Sequence, residues 1–266
     1  MFLIVRRVVE FCDNLDKNWS HPLSQYPIIR SPLSVVAIVA LYLLFVYKWG
    51  PRMMMDRKPF RLQRTIIVYN VVQVLLNAYI FLESSHLFVR MYSLKCQPVD
   101  YSVTPSTLRL ARVSYIYCLI KMFDFLDTVF FVLRKKSQQA SFLHSYHHAA
   151  MAIVCSFLYK FVANSHFIFM GIINAFVHTV MYCYYGLAAV NPDYRKSIWW
   201  KKYITQLQMF QFGIIFLHLT SGFVSNCGLP RILLALLMIQ TLFITLMFGE
   251  FYYKNYIRKR PAKALN

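Results

Sequence analysis

Residues 232–253 read ILLALLMIQTLFITLMFGEFYY. At 1.5 Å of rise per residue, this run is long enough to cross the ~30 Å hydrocarbon core of a bilayer as one helix. It ends against a basic tail that holds Lys254, Arg258, Lys259, Arg260 and Lys263. Working back towards the N-terminus, six more apolar runs appear: Tyr203–Phe223, Phe167–Val190, Phe142–Phe161, Ser114–Leu133, Thr65–Val89 and Pro32–Tyr47. The expected fold is an all-α integral membrane bundle of seven transmembrane helices with short connections. The expected organisation is one catalytic domain over 32–253, preceded by segment 1–31 and followed by tail 254–266.

Composition agrees. Hydrophobic residues make up 58% of the 266 and charged ones only 15%, against about 25% charged in soluble domains. A net charge of +19 would suggest nucleic acid in a soluble protein. Here the basic residues lie between apolar runs, so they are read as topology signals and nucleic acid is excluded. Eighteen of them fall in the loops after the first, third, fifth and seventh runs, and ten on the opposite side. The positive-inside rule then places the C-terminus in the cytosol and segment 1–31 in the lumen. Asn18-Trp19-Ser20 is a glycosylation sequon in that segment. Cys96 and Cys227 fall in two loops on the same lumenal side and are expected to form a disulfide. Cys118, Cys155 and Cys183, inside apolar runs, are expected to be packing residues.

Four runs carry polar chemistry that a membrane helix tolerates only with partners or a function. The third holds Lys121, Asp124, Asp127 and Thr128; on one continuous helix Lys121, Asp124 and Thr128 share a face. The fourth opens on His144, His147 and His148, whose spacing converges three imidazoles. The fifth holds His178 on the face of Tyr182. The sixth holds Gln208 and Gln211. By helix rise Asp127, His147 and Gln208 lie at similar depth and His178 deeper, nearer mid-membrane, so four helices place polar groups in the same cytosolic half, and the lumenal halves read as mostly apolar. Two chemistries suit this set. Several imidazoles and carboxylates can bind a metal, as in membrane desaturases and hydroxylases. A neutral imidazole can also take an acyl group from a thioester, in a pocket dry enough to spare the acyl-imidazole from hydrolysis.

Taken together, Lys121-x-x-Asp124-x-x-Asp127-Thr128, His144-x-x-His147-His148, His178-x-x-Met181-Tyr182-x-Tyr184-Tyr185 and Thr205-x-x-Gln208-x-x-Gln211-Phe212 resemble the motifs of the very-long-chain fatty acid elongases, in the same order. The resemblance runs from about Ser31 to Arg260. It implies six of the seven helices around a narrow acyl tunnel closed at the lumenal end, in the endoplasmic reticulum membrane. It implies condensation of a long-chain acyl-CoA with malonyl-CoA to 3-oxoacyl-CoA, carbon dioxide and CoA, with no metal or redox cofactor. The reductases and dehydratase of the cycle are the implied partners, and a homo-oligomer stays open. On this reading His147 is the nucleophile and His144 or His148 handles its proton. His178 assists, and Asp124 and Asp127 set histidine tautomers. Lys121, Thr128, Tyr182, Gln208 and Gln211 bind substrate, while Arg134, Lys201 and Lys202 meet the CoA phosphates. The family usually has Glu where this chain has Asp124. A metal-dependent desaturase or hydroxylase is the alternative.

Overall fold

The computed structural model describes residues 10, 20–191, 193–194 and 197–258; Asn18 lies outside them. Nine helices are described: α1 (Pro32–Leu44), α2 (Gly50–Met54), α3 (Gln63–Met91), α4 (Pro105–Phe123), α5 (Phe125–Leu133), α6 (Phe142–Val162), α7 (Ile168–Val190), α8 (Ile198–Val224) and α9 (Arg231–Tyr252). A π-turn at Phe45–Trp49 joins α1 to α2, and α5 continues α4 after a break at Asp124. The described chain therefore forms seven helical rods, with no strand among the described residues.

Five rods are long and apolar enough to cross a membrane: Pro32–Met54, Gln63–Met91, Ile168–Val190, Trp199–Val224 and Arg231–Ile257. The other two carry the densest polar chemistry, α4–α5 with Lys121, Asp124 and Asp127, and α6 with His144, His147 and His148. The exposure pattern of α3 is inverted relative to a helix of a soluble protein. Gln73 and Asn77 are 0% exposed, whereas Leu75 and Leu82 on the same helix are 64% and 65% exposed. On this helix apolar side chains face outward and polar ones inward, as suits a lipid solvent. This is a multi-pass membrane protein.

Helix contacts close a ring in the order α6, α4, α3, α7, α8, α9 and back to α6, while α1 packs on the outside of α6. Successive rods alternate in direction, which gives the bundle two chemically different ends. One, the basic end, holds the loops after α2, α5 and α7. There Phe60 N donates to Leu133 O at 3.1 Å and Lys135 Nζ to Met55 O at 3.1 Å. Gly50 is required here: a Cβ would stand 2.7 Å from Val132 Cγ1 and 2.8 Å from Phe45 O.

The other end is tied together by side chains and backbone from four segments. Cys96 and Cys227 are joined by a disulfide, with Cα atoms 5.3 Å apart. His21 N donates to Lys160 O, Asp100 N to Asn164 O and His166 N to Gln97 O, at 2.8, 3.1 and 3.0 Å. His21 Nε2 donates to Asp100 O while its Nδ1 accepts from Leu23 N. Burial lowers the His21 pKa below the usual 6.5, although Asp100 opposes this. Thr104 and Thr107 form a capping box that starts α4, with Pro105 in its first turn. This capped start lies nine residues before the apolar run identified from sequence, so Arg109 and Arg112 sit on the helix. Similarly α8 begins at Ile198 rather than Tyr203, adding Trp199 to Lys202 as a basic, aromatic first turn.

Candidate functional site

The break at Asp124 organises the site. Asp124 N donates to Ile120 O at 2.8 Å, and Asp127 N donates back to Asp124 O at 3.1 Å, tightening the chain to an i→i+3 turn. The rotation it introduces overturns the single continuous face expected for Lys121, Asp124 and Thr128. Thr128 points to the outside of the ring, where Tyr42 of α1 reaches its hydroxyl at 2.8 Å. Tyr42 also stacks on Phe125 at 4.1 Å. Thr128 thus fastens α1 to the bundle.

Asp124, 1% exposed, is the hub. Its Oδ1 accepts from Gln73 Nε2 at 2.6 Å and Tyr182 OH at 3.1 Å; its Oδ2 accepts from Lys121 Nζ at 3.2 Å. Lys121, 2% exposed, also donates to His178 Nδ1 at 3.3 Å and lies 5.0 Å from the Tyr117 ring centre. An ammonium has no lone pair, so His178 Nδ1 must be the acceptor and its proton sits on Nε2. Tyr182 OH lies 2.7 Å from Asp127 Oδ2 and so bridges the two carboxylates. Gln73 Nε2 also donates to Tyr69 OH at 2.9 Å, and Asn77 Nδ2 to Gln73 O at 2.9 Å. A buried ion pair held by this many additional hydrogen bonds recovers its desolvation cost; removing one partner strands a charge.

Beside this network, α6 presents its histidines. Ser141 caps α6 by accepting from His144 N at 3.3 Å. The His144 and His148 rings are 4.3 Å apart, and His147 and His148 are 5.6 Å apart. His147 and His148 both lie within electrostatic reach of Lys121 and His178. His147 also meets Phe248 of α9, which packs on Phe212 of α8. Among the described residues, His144 Nε2, His147 Nδ1 and Gln211 Oε1 are buried without a hydrogen-bond partner. No group of three or more His, Cys, Asp and Glu side chains among them is placed to hold a metal ion.

His147 and Gln211 line a mostly apolar cavity that is partly open to its surroundings. All six ring helices contribute to its wall; α1 does not. Along α6 the lining residues are His147, Met151, Val154, Cys155, Leu158, Tyr159 and Val162, a helical stripe about 22 Å long at 1.5 Å per residue. The reactive groups are at its head, towards the basic end, and Asn164, Ser165 and Phe167 are at its far end.

The remaining expected site residues fall into two groups. His144, His148, His178, Asp124, Asp127, Lys121 and Tyr182 stand behind His147 and are absent from the cavity wall. Gln208 also stays off the wall, its amide resting 3.3 Å from Met181 Sδ. Arg134, Lys201 and Lys202 lie half-buried at the basic end. Sequence reasoning missed the roles of Tyr69, Gln73 and Asn77, although Tyr69, Gln73 and Asn77 repeat at i, i+4 and i+8 within an apolar run. It also missed Gln240, which lines the cavity and accepts from Tyr146 OH at 2.9 Å.

The sequence matches the GNS1/SUR4 family over residues 27–264. It is 39% identical to a very long chain fatty acid elongase of Aedes aegypti, over 99% of this chain and 75% of that one. It is 39% identical to very long chain fatty acid elongase 4 of Homo sapiens, over 91% and 77% of the two chains. With very long chain fatty acid elongase 1 of Mus musculus it shares 37% identity over 97% and 94%.

Proposed function

The chain belongs to the GNS1/SUR4 family, and from that premise we propose that it condenses a long-chain acyl-CoA with malonyl-CoA through an acyl-enzyme on His147. Fatty acid elongation is the activity its relatives are named for. The observation that carries the finer reading is the position of His147: an unpartnered imidazole at the head of a long, mostly apolar cavity. Its length of about 22 Å exceeds the ~15 Å that one leaflet of a ~30 Å core supplies to an ordinary lipid tail. The acyl chain occupies the cavity with its thioester at His147. The ring nitrogen attacks the carbonyl, the C–S bond breaks, and CoA leaves with a proton relayed by a neighbouring imidazole. Malonyl-CoA then loses carbon dioxide. Its enolate carbon attacks the acyl-imidazole, the C–N bond breaks, and 3-oxoacyl-CoA is released.

The Gln211 side-chain amide, on the cavity wall, is suited to the developing oxyanion. Lys121, Asp124, Asp127 and Tyr182 hold His178 in the required tautomer from behind rather than touching substrate. Arg134, Lys201 and Lys202 are placed to meet CoA phosphates at the basic end. In this reading all seven rods cross the endoplasmic reticulum membrane with the basic end in the cytosol, and no metal or redox cofactor takes part. Purified protein given an acyl-CoA and malonyl-CoA should release 3-oxoacyl-CoA and carbon dioxide in equal amounts. Absence of both products, with folded protein, overturns the reading.

A further inference from the structure

The connection from α1 to α3 carries charge that the fold itself does not use. Residues 48–64 contain Lys48, Arg52, Arg57, Lys58, Arg61 and Arg64 against a single carboxylate, Asp56. All six cations are exposed. Among the described residues, none of their side chains forms a hydrogen bond or an ion pair. By contrast Arg109 pairs with Glu83, Lys121 with Asp124 and Lys254 with Glu250. The backbone beneath the six is fixed at two points to the end of α5: Phe60 N donates to Leu133 O, and Met55 O accepts from Lys135 Nζ. Trp49, Met53, Met55 and Phe60 stand exposed among the cations, Met55 at 71%. One apolar rod ends at Met54 and the next starts at Gln63, so the segment lies where hydrocarbon gives way to headgroups.

From this surface we propose that residues 48–64 bind the headgroups of anionic phospholipids in the cytosolic leaflet. The inference rests on the basic end facing the cytosol and not on the condensation chemistry. Clusters of roughly four to eight Lys and Arg directly beside a membrane helix attract acidic headgroups, by about five-fold in affinity for each cation. Exposed charges act over about a Debye length, so six cations in one short segment act together on one patch of bilayer. The interleaved aromatic and Met side chains suit the same boundary, with apolar groups towards the tails and cations towards the phosphates. A soluble CoA offers phosphates but nothing to cover those apolar side chains, and α1 gives no residue to the cavity wall. The same charges direct topology during insertion, but that role predicts no lipid preference in the folded protein.

The test is lipid competition on the folded, full-length protein in detergent. It receives equal amounts of dioleoyl phosphatidylserine and dioleoyl phosphatidylcholine, and the lipid it retains is counted by native mass spectrometry. The expected ratio of serine to choline lipid is about ten or more, and it falls as salt is raised. Arg57→Gln with Lys58→Gln and Arg61→Gln should lower that ratio at least about five-fold. These side chains are exposed and make no internal contacts of their own, so the thermal midpoint should hold. Arg90→Gln with Lys95→Gln and Arg231→Gln removes the same charge from exposed positions at the disulfide end, and should leave the ratio within about two-fold of wild type. A wild-type ratio near one overturns the proposal and leaves the charges to topology alone. Equal losses in the two triple variants overturn it as well, because attraction would then follow net charge and not this segment. A ratio that collapses when free CoA is added, with KM for malonyl-CoA raised in the first variant, overturns it in favour of a CoA site.

Discussion

Two histidine groups stand at opposite ends of the bundle and have opposite fates. At the disulfide end, His166 and His218 stack with ring centres 3.7 Å apart. Each Nε2 donates to the other's backbone carbonyl at 2.9 Å. Both rings hold α8 to the α6–α7 turn through these bonds. At the other end, His144 and His147 keep buried ring nitrogens without partners, and His147 lines a cavity. Residue type is the same, although His166 and His218 are buried and His144 and His147 only half-buried. His166 Nδ1 is also buried without a partner, so what separates the two groups is setting: the His166 ring is stacked and tied to a backbone carbonyl, whereas His147 lies on a cavity wall.

This contrast is open to direct attack. His147→Ala should abolish elongation, by more than about 10³-fold, with little change in thermal midpoint. His218→Ala should do the reverse, costing stability while retaining measurable turnover, as should Gly222→Ala. The Gly222 Cβ would stand 2.8 Å from the His166 ring, an overpacking worth about 1–3 kcal/mol. Both are read by thermal unfolding alongside activity. Tyr182→Phe should fall between these extremes. It leaves two carboxylates without their shared hydroxyl, costs about 1–3 kcal/mol, and lowers kcat more than it raises KM. Asp124→Glu should retain the charge but crowd the three donors packed around the shorter side chain, giving a smaller loss of kcat.

The smallest effect concerns pH. His21 has a folded pKa below 6.5 because it is buried. As pH falls the unfolded chain binds its proton first, so this contribution is complete above pH 6.5 and is lost as pH drops towards the folded value. The thermal midpoint should decline between pH 7 and 5, and His21→Gln should flatten that slope. His166, also lowered by burial, adds to the slope in the wild type.

Much of this was legible in the residues. Apolar run length marked the rods, and five of the seven meet a strict test of length and apolarity. The cysteines joined in the structure are the two expected from their loops. What escaped was set by geometry that sequence spacing does not carry. A helix break at Asp124 has no Gly or Pro to announce it, so the turn of Thr128 towards Tyr42 could not be read from an i+7 rule. Gln73 meets Asp124 across 51 residues and Tyr146 meets Gln240 across 94. The Thr104-Pro105 start of α4 was readable as a cap, but hydropathy alone begins counting after Arg112. The far half of the cavity read as apolar because Ser84, Ser114 and Asn174 are isolated polar residues, each on a different helix.

Intact-protein mass followed by peptide mapping, after incubation with a long-chain acyl-CoA and no malonyl-CoA, bears most directly on His147. The expected result is one added acyl group on the peptide containing His147, chased off by malonyl-CoA and missing in His147→Ala. Unmodified wild-type protein, under conditions where added malonyl-CoA gives product, would contradict a covalent route. So would an adduct that persists in His147→Ala.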